Sequence, residues 1–307
     1  MPFAFDSFIV EKEKPAFAVV MRRYSISMGE AQKIIDRGRM LCNGTTVTQK
    51  NQKVAGSIKV LRFFPKSRDL PPLFIRPHFM VFEKPSGVLV HPNKVLTPYS
   101  MLDEIRHYGG ENANSVHRID METSGLLLAS KNRETEILLK GMFEQKRIKK
   151  SYLAWVHGNT KEHFFVDAPI KVRTDYSTSK HKVAIDSSGK SAKTEFTKLL
   201  YNRAKDATLL HVNPLTGRTH QIRIHLFHVK HPIIGDPLYG TPFEIAEAYL
   251  EERLSQEDRI KYTGAKRLML HADTLEFKSD CYYYIKSQID FRKEIDKIER
   301  VKFSCFT

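Results

Sequence analysis

An unbroken apolar run, Gly125-Leu126-Leu127-Leu128-Ala129, follows directly on a polar stretch, His117-Arg118-Ile119-Asp120-Met121-Glu122-Thr123-Ser124. A short run of this kind reads as a strand covered on both faces, and so as the middle of a sheet. The polar stretch must then be a loop delivered to the end of that strand. Loops carried by a rigid sheet are where reactive side chains tend to sit. On these residues alone Asp120 has two readings: a reactive carboxylate, or a cap for the turn before the strand.

Charge narrows the partner. The 307 residues carry 50 Lys and Arg against 35 Asp and Glu, a net +15, and such an excess points to a polyanion. The excess is uneven. Between Lys14 and Arg62 ten basic residues face two acidic ones, a net +8. Hydrophobic residues make up 41% of the chain, enough for a folded core in one large or two unequal domains. No apolar run reaches the roughly 18 residues of a membrane span, and no basic-then-apolar leader opens the chain. Cys42, Cys281 and Cys305 are far apart and odd in number. That suits a reducing compartment and argues against a zinc cluster. The expectation is a cytoplasmic monomer without membrane contact.

In chain order, residues 1–13 show no periodicity and read as a loose lead-in. Ser27-Met28-Gly29-Glu30 is a capping box at a helix start. Ala31, Ile34 and Ile35 share one face of that helix, Lys33 and Arg37 the other, and Gly38 ends it. Arg39 follows. Asn43-Gly44 marks a tight turn between short strands, and Val54 to Val60 closes the unit. Residues 14–64 thus form a small basic α+β module. Four prolines between Phe64 and Pro77 suggest an extended linker over 65–77. Phe79 to Pro92 reads as strand, turn, strand, and 133–146 as a helix. Lys146-Arg147-Ile148-Lys149-Lys150 precedes a strand that begins at Tyr152. Lys171 to Lys182 reads as a basic hairpin suited to phosphates. Strands follow near 192–200 and 207–213, then a turn at Gly217 and a helix from about Thr219. One charged helix over 242–259, a strand from Arg267 to Phe277, a strand-like Tyr282–Ile285 and a basic tail complete the chain. His220, His225, His228 and His231 crowd one region and raise the question of a metal. No Asp or Glu lies among them, and no matching pair appears elsewhere. A kinase catalytic loop fails too, because Ile119 separates Arg118 from Asp120 and no glycine-rich loop or Asp-Phe-Gly accompanies it.

The stretch from His117 to Leu128 resembles the signature of the RluA/RluC/RluD family of RNA pseudouridine synthases, with Ile119 at the family's usual Leu. Further elements resemble the same family in the expected order: Lys84-Pro85 to His91-Pro92, Lys150-Ser151-Tyr152-Leu153-Ala154, Gly217-Arg218-Thr219-His220-Gln221-Ile222-Arg223, Pro232 to Gly240, and Leu270-His271-Ala272. The N-terminal module resembles the S4 RNA-binding domain, although Met28 and Ser57 depart from the residues usual there. The resemblance implies a catalytic domain over 78–307 on a large, mostly antiparallel mixed sheet. It implies that uridine in structured RNA is isomerised to pseudouridine without cofactor or metal. The uridine N1–C1′ bond breaks, the base turns, and C5 joins C1′. By the same resemblance Asp120 is the catalytic carboxylate, Tyr152 packs against the target base, and Arg218 pairs with Asp120. A carboxylate that must stay ionised in a pocket poor in water needs such a permanent cation. Reaching a uridine in folded RNA requires flipping it out, and Arg118 is placed to fill the gap. Lys33, Arg37, Arg39, Lys149 and Lys150 are expected to bind RNA. Large-subunit ribosomal RNA is the first expectation and transfer RNA the alternative. The rival classes are a catalytically silent RNA-binding protein and a metal-dependent RNA hydrolase built on the histidines.

Overall fold

The computed structural model describes residues 2–175 and 180–301. Its first unit comprises β1 (Phe3–Pro15), helices α1 (Ala16–Tyr24) and α2 (Met28–Asp36), β2 (Met40–Cys42), β3 (Thr45–Thr46) and β4 (Lys53–Phe63). The strands form an antiparallel sheet in the order β1-β4-β2-β3. Val19, Val20, Ala31, Ile35, Ile58 and Val60 close an apolar cluster between this sheet and the helices. The capping box forms as the sequence suggests: Glu30 N donates to Ser27 Oγ at 3.3 Å, and Ser27 N donates to the Glu30 carboxylate at 3.0 Å. The loose lead-in over 1–13 is corrected, because β1 pairs with β4 from Phe3 opposite Phe63 onward. Its alternation is hidden in the sequence. Phe8 and Val10 pack toward the cluster, while apolar Phe5 and Ile9 on the other face stand exposed.

The second unit holds β5 (Phe74–Ile75), β6 (Phe79–Lys84), α3 (Met101–Gly109), β7 (Asn114–Ser115), β8 (Ser124–Ser130), α4 (Arg133–Glu144), β9 (Lys149–His157), β10 (His163–Asp167), β11 (Ile170–Val172), β12 (Val183–Ile185), β13 (Lys193–Asn202), β14 (Ala207–Pro214), α5 (Gln221–His228), α6 (Phe243–Leu250), α7 (Gln256–Thr263), β15 (Leu270–Lys278), β16 (Tyr282–Lys286) and a 3-10 turn, Phe291–Lys297. Ten of the strands make one sheet. Its path is β10-β13-β14-β9-β15-β8-β6-β5, with β7 on β8 and β16 on β15. The fold is α+β, as expected. Among the described residues one pairing is parallel, that of β8 with β15, where Ser124 faces His271 and Gly125 faces Ala272. All seven residues of β8 are buried. Leu127 and Ala129 enter one apolar cluster, Leu126 and Leu128 the other. Gly125 is required at the crossing: its φ is +105°, and a Cβ there would lie 2.2 Å from the Ala272 carbonyl oxygen.

Several expectations shift. The second strand expected over 88–92 does not form. The carbonyls of Leu89 and Val90 instead accept the first amides of α3, from Met101 and Leu102. The segment 65–77 is pinned rather than free, since Lys66 N donates to Asp103 and Arg68 N to Glu104. Lys149 and Lys150 already belong to β9. The 242–259 stretch is two helices, the second starting where Ser255 caps Asp258 N. The basic hairpin exists as β11–β12; its residues 176–179, like Cys305, lie outside the described residues.

Candidate active site

The loop that carries Asp120 is fixed from below. Lys84, at the end of β6, is fully buried, and its Nζ donates to the carbonyls of Pro85, Val88 and Met121, each at 2.8 Å. Burial pushes this amine down to about 7. Ser86 Oγ donates to the Glu122 carbonyl. Glu122 is buried at the wall of the cleft and is clamped by Arg259 Nη1 and Nη2, the Tyr249 hydroxyl and Leu268 N. Burial pushes its carboxyl up, but Arg259, the Tyr249 hydroxyl and Leu268 N together outweigh burial and hold it below the usual range. The sequence alone gave no role to Lys84, Arg259 or Tyr249.

Asp120 itself faces the cleft, with its side chain 28% exposed. The guanidinium beside it belongs to Arg223, whose Nη1 lies 3.4 Å from Asp120 Oδ2. Arg223 is locked from behind by Asp236, which accepts from Nε and Nη2 at 2.7 Å each. Asp236 also accepts from the amides of Leu238 and Tyr239. The pairing of Arg218 with Asp120 is therefore corrected. Arg218 lies in the turn before α5, its amide donates to Gln221 Oε1, and its exposed side chain runs to the Ser191 carbonyl. Arg223, five residues on, stands on the buried face of α5. An arginine set between Ile222 and Ile224 in an otherwise apolar stretch was the signal for it.

His220 completes the floor. Its Nε2 is 3.9 Å from Asp120 Oδ2, and its Nδ1 is 2.9 Å from the Tyr239 hydroxyl. Two of the other three histidines turn elsewhere: His225 bonds Thr194 and the Ala168 carbonyl, and His231 the His157 carbonyl. Among the described residues no three His, Cys, Asp or Glu side chains gather as a metal site.

The cleft above has a volume of about 1700 Å³ and is lined by Asp120, His220, Arg223 and a rim of cations, Arg118, Lys149, Lys150 and Arg218 among them. A recess of about 100 Å³ beside it holds Asp120, Tyr152, Ile222 and Arg223. Tyr152 is buried on β9, with Lys150 Nζ 5.8 Å from its ring centroid. Lys149 is tied to Glu276, while Arg118 stands exposed. Lys33, Arg37 and Arg39 do not line the cleft. Lys33 and Arg37 are exposed on the N-terminal unit, and Arg39 stacks 5.1 Å from the Phe3 ring centroid. The site thus offers a carboxylate, a fixed guanidinium, an aromatic wall and a cationic mouth. That set suits covalent or electrostatic work on the sugar of a stacked nucleotide.

Comparisons with known proteins agree on one family. The family model described as RNA pseudouridylate synthase matches residues 78–228. An uncharacterized RNA pseudouridine synthase of Helicobacter pylori is 38% identical over 279 residues, which are 91% of each chain. Ribosomal large subunit pseudouridine synthase C of Buchnera aphidicola is 32% identical and aligned over 72% of this chain and 68% of its own. Among solved structures, human RNA pseudouridylate synthase domain containing 1 has the same fold. Its TM-score is 0.58 and its identity 24%, over 73% of this chain and 86% of that one.

Proposed function

The chain belongs to the family of RNA pseudouridine synthases, isomerases that act on RNA, and on that premise we propose that it isomerises uridine in large-subunit ribosomal RNA. The observation that carries the catalytic assignment is Asp120 at the cleft floor, 3.4 Å from the Arg223 guanidinium and sharing its recess with Tyr152. In this reading Asp120 is the carboxylate that acts on the sugar or base and splits one difficult step into easier ones. Arg223 neutralises it at fixed geometry, and Tyr152 gives the flipped uracil a face. Arg118 fills the gap left in the RNA. Lys149, Lys150 and Arg218 meet phosphates at the mouth of the cleft, where such contacts position rather than specify. The N-terminal unit serves as an S4-like RNA-binding domain through Lys33, Arg37 and Arg39, joined by residues 65–77 to the catalytic domain.

The rRNA assignment is supported by the relatives named for the large ribosomal subunit. It implies work in the cytoplasm, where ribosomes are made. In this reading the protein works as a monomer. Among the described residues no helix is long and apolar enough to cross a membrane.

The test is to map pseudouridines in rRNA and transfer RNA from cells with and without the gene. A large-subunit site should vanish on deletion, return with the wild-type gene, and stay absent with Asp120→Asn. A site lost only from transfer RNA would replace the rRNA reading, and restoration by Asp120→Asn would remove Asp120 from the chemistry.

A further inference from the structure

His220 has a backbone and a set of contacts that the reading above leaves without a purpose. It sits at φ +52°, ψ 21°, in the left-handed region, just before α5. Few non-glycine residues take this backbone, and it recurs at functional sites. Its side chain is 12% exposed and opens into the cleft beside Asp120.

The tautomer follows from the partners. Burial pushes the Tyr239 phenol up, so its hydroxyl keeps its proton. That hydroxyl accepts from the Val183 backbone amide, which leaves its own proton for the 2.9 Å contact with His220 Nδ1. Nδ1 therefore accepts, and the ring hydrogen sits on Nε2. Burial, then the charge of Arg223, drives the ring down to about 4, so it is neutral near pH 7. Nε2–H has no hydrogen-bond partner among the described residues. It stops 3.9 Å short of Asp120 Oδ2.

Resting on the assignment of Asp120, we propose that His220 is a catalytic residue: its Nε2–H donates a hydrogen bond to the uracil carbonyl oxygen beside C1′, first O2 and, after the base turns, O4. When the N1–C1′ bond breaks, its electron pair stays on the base and spreads from N1 onto O2 and O4. With Asp120 placed at the N1–C1′ bond, whichever side of it the carboxylate acts on, a donor next to Asp120 is next to O2, the carbonyl oxygen adjacent to that bond. Turning uracil about its N3–C6 axis exchanges N1 with C5 and O2 with O4. The same donor thus meets a carbonyl oxygen before and after rotation. No proton leaves His220. When C5 has joined C1′, C5 gives up its proton to solvent and N1 takes one up, so the atoms of the base are conserved. A neutral imidazole suits this role, because an imidazolium would pair with Asp120 instead.

The test uses full-length protein and RNA extracted from cells lacking the gene, so that the true target is present whichever RNA carries it. Single-turnover loss of the N-linked nucleoside at that site is followed by mass spectrometry of nuclease digests. His220→Ala should slow the step by about a hundredfold, the usual loss of one donor to a developing anion. His220→Gln, which keeps an N–H donor, should recover part of it. The same assay is repeated on RNA from cells fed 5-fluorouracil. Fluorine stabilises the departing anion, so the His220→Ala deficit should shrink at least tenfold. An equal deficit on both RNAs, or none, would overturn the proposal and leave His220 as packing for Asp120. His220→Gln no better than Ala would do the same. If wild-type protein were inert on both RNAs, the assignment of the activity itself would fail, and the proposal with it. Wild type active, Asp120→Asn inert and His220→Ala at full speed would remove the donor alone.

Discussion

The N-terminal unit and the catalytic floor are both rich in cations, and they use them in opposite ways. In the unit spanning β1 to β4, Lys33 and Arg37 stand on the solvent side of a helix whose other face closes the apolar cluster. In the RNA-binding role proposed for them, their value lies in number and sign, because exposed charges meet phosphates loosely. At the floor, Arg223 is 3% exposed and gripped between Asp236 and Asp120. There the value lies in position: a planar fork held by one carboxylate is presented to another. Exchange of a cation should therefore be tolerated in the first region and not in the second.

The sharpest break of that contrast is a pair of lysine substitutions. Arg223→Lys keeps the charge but loses the fork, and kcat should fall more than about a hundredfold, or about 2.7 kcal/mol in the barrier. Arg218→Lys, at the exposed rim, should cost less than about threefold, well under 1 kcal/mol. Equal losses in single-turnover assays would mean that the two arginines exchange places when RNA binds. Next is Asp236→Asn, nearly isosteric, which leaves a buried guanidinium without its main counterion. A loss of about 3 kcal/mol in denaturant unfolding is expected, and a smaller fall in rate than for Arg223→Lys. Wild-type stability there would show that Asp120 alone holds Arg223. The smallest effect belongs to Lys33→Gln with Arg37→Gln. The saturating rate should stay within about twofold, while the slope of log binding against log salt flattens by roughly 1.5, the share of two phosphate contacts. An unchanged slope would take these cations off the RNA.

That Asp120 and Tyr152 share one cleft was legible from strong local patterns: the buried run of β8, which the Asp120 loop precedes, and the aromatic and apolar start of β9. The choice between Arg218 and Arg223 had one local signal, the isoleucines flanking Arg223, and that signal does not name its partner. The choice depends on how α5 is turned against Asp236, which lies 13 residues away in sequence and is brought close by the tight turn at Gly235. The support under the loop was hidden for a similar reason. Lys84 is a neighbour of the loop only in space, and its three acceptors are backbone carbonyls, which leave no mark on side-chain patterns. β1 was missed because apolar residues on its exposed face masked the two-residue period. The split of 242–259 turned on Ser255, a cap inside what read as one charged run.

The place of β15 in the sheet has a consequence for how the enzyme comes off the ribosome. β15 is inserted between β8 and β9, and Ser124 meets His271 across 147 positions of sequence. Until β15 is made, the strands already synthesised can form only two half-sheets, one ending in β8 and the other in β9. Each has an open edge of unpaired amides and carbonyls, the kind of edge that invites wrong pairing. Contacts this distant form late and slowly. The nascent chain therefore carries Asp120, Tyr152 and Arg223 well before it can bring them together. Isomerisation must wait for a strand that itself supplies none of the three, and a delay just upstream of Leu270 would expose both edges at once.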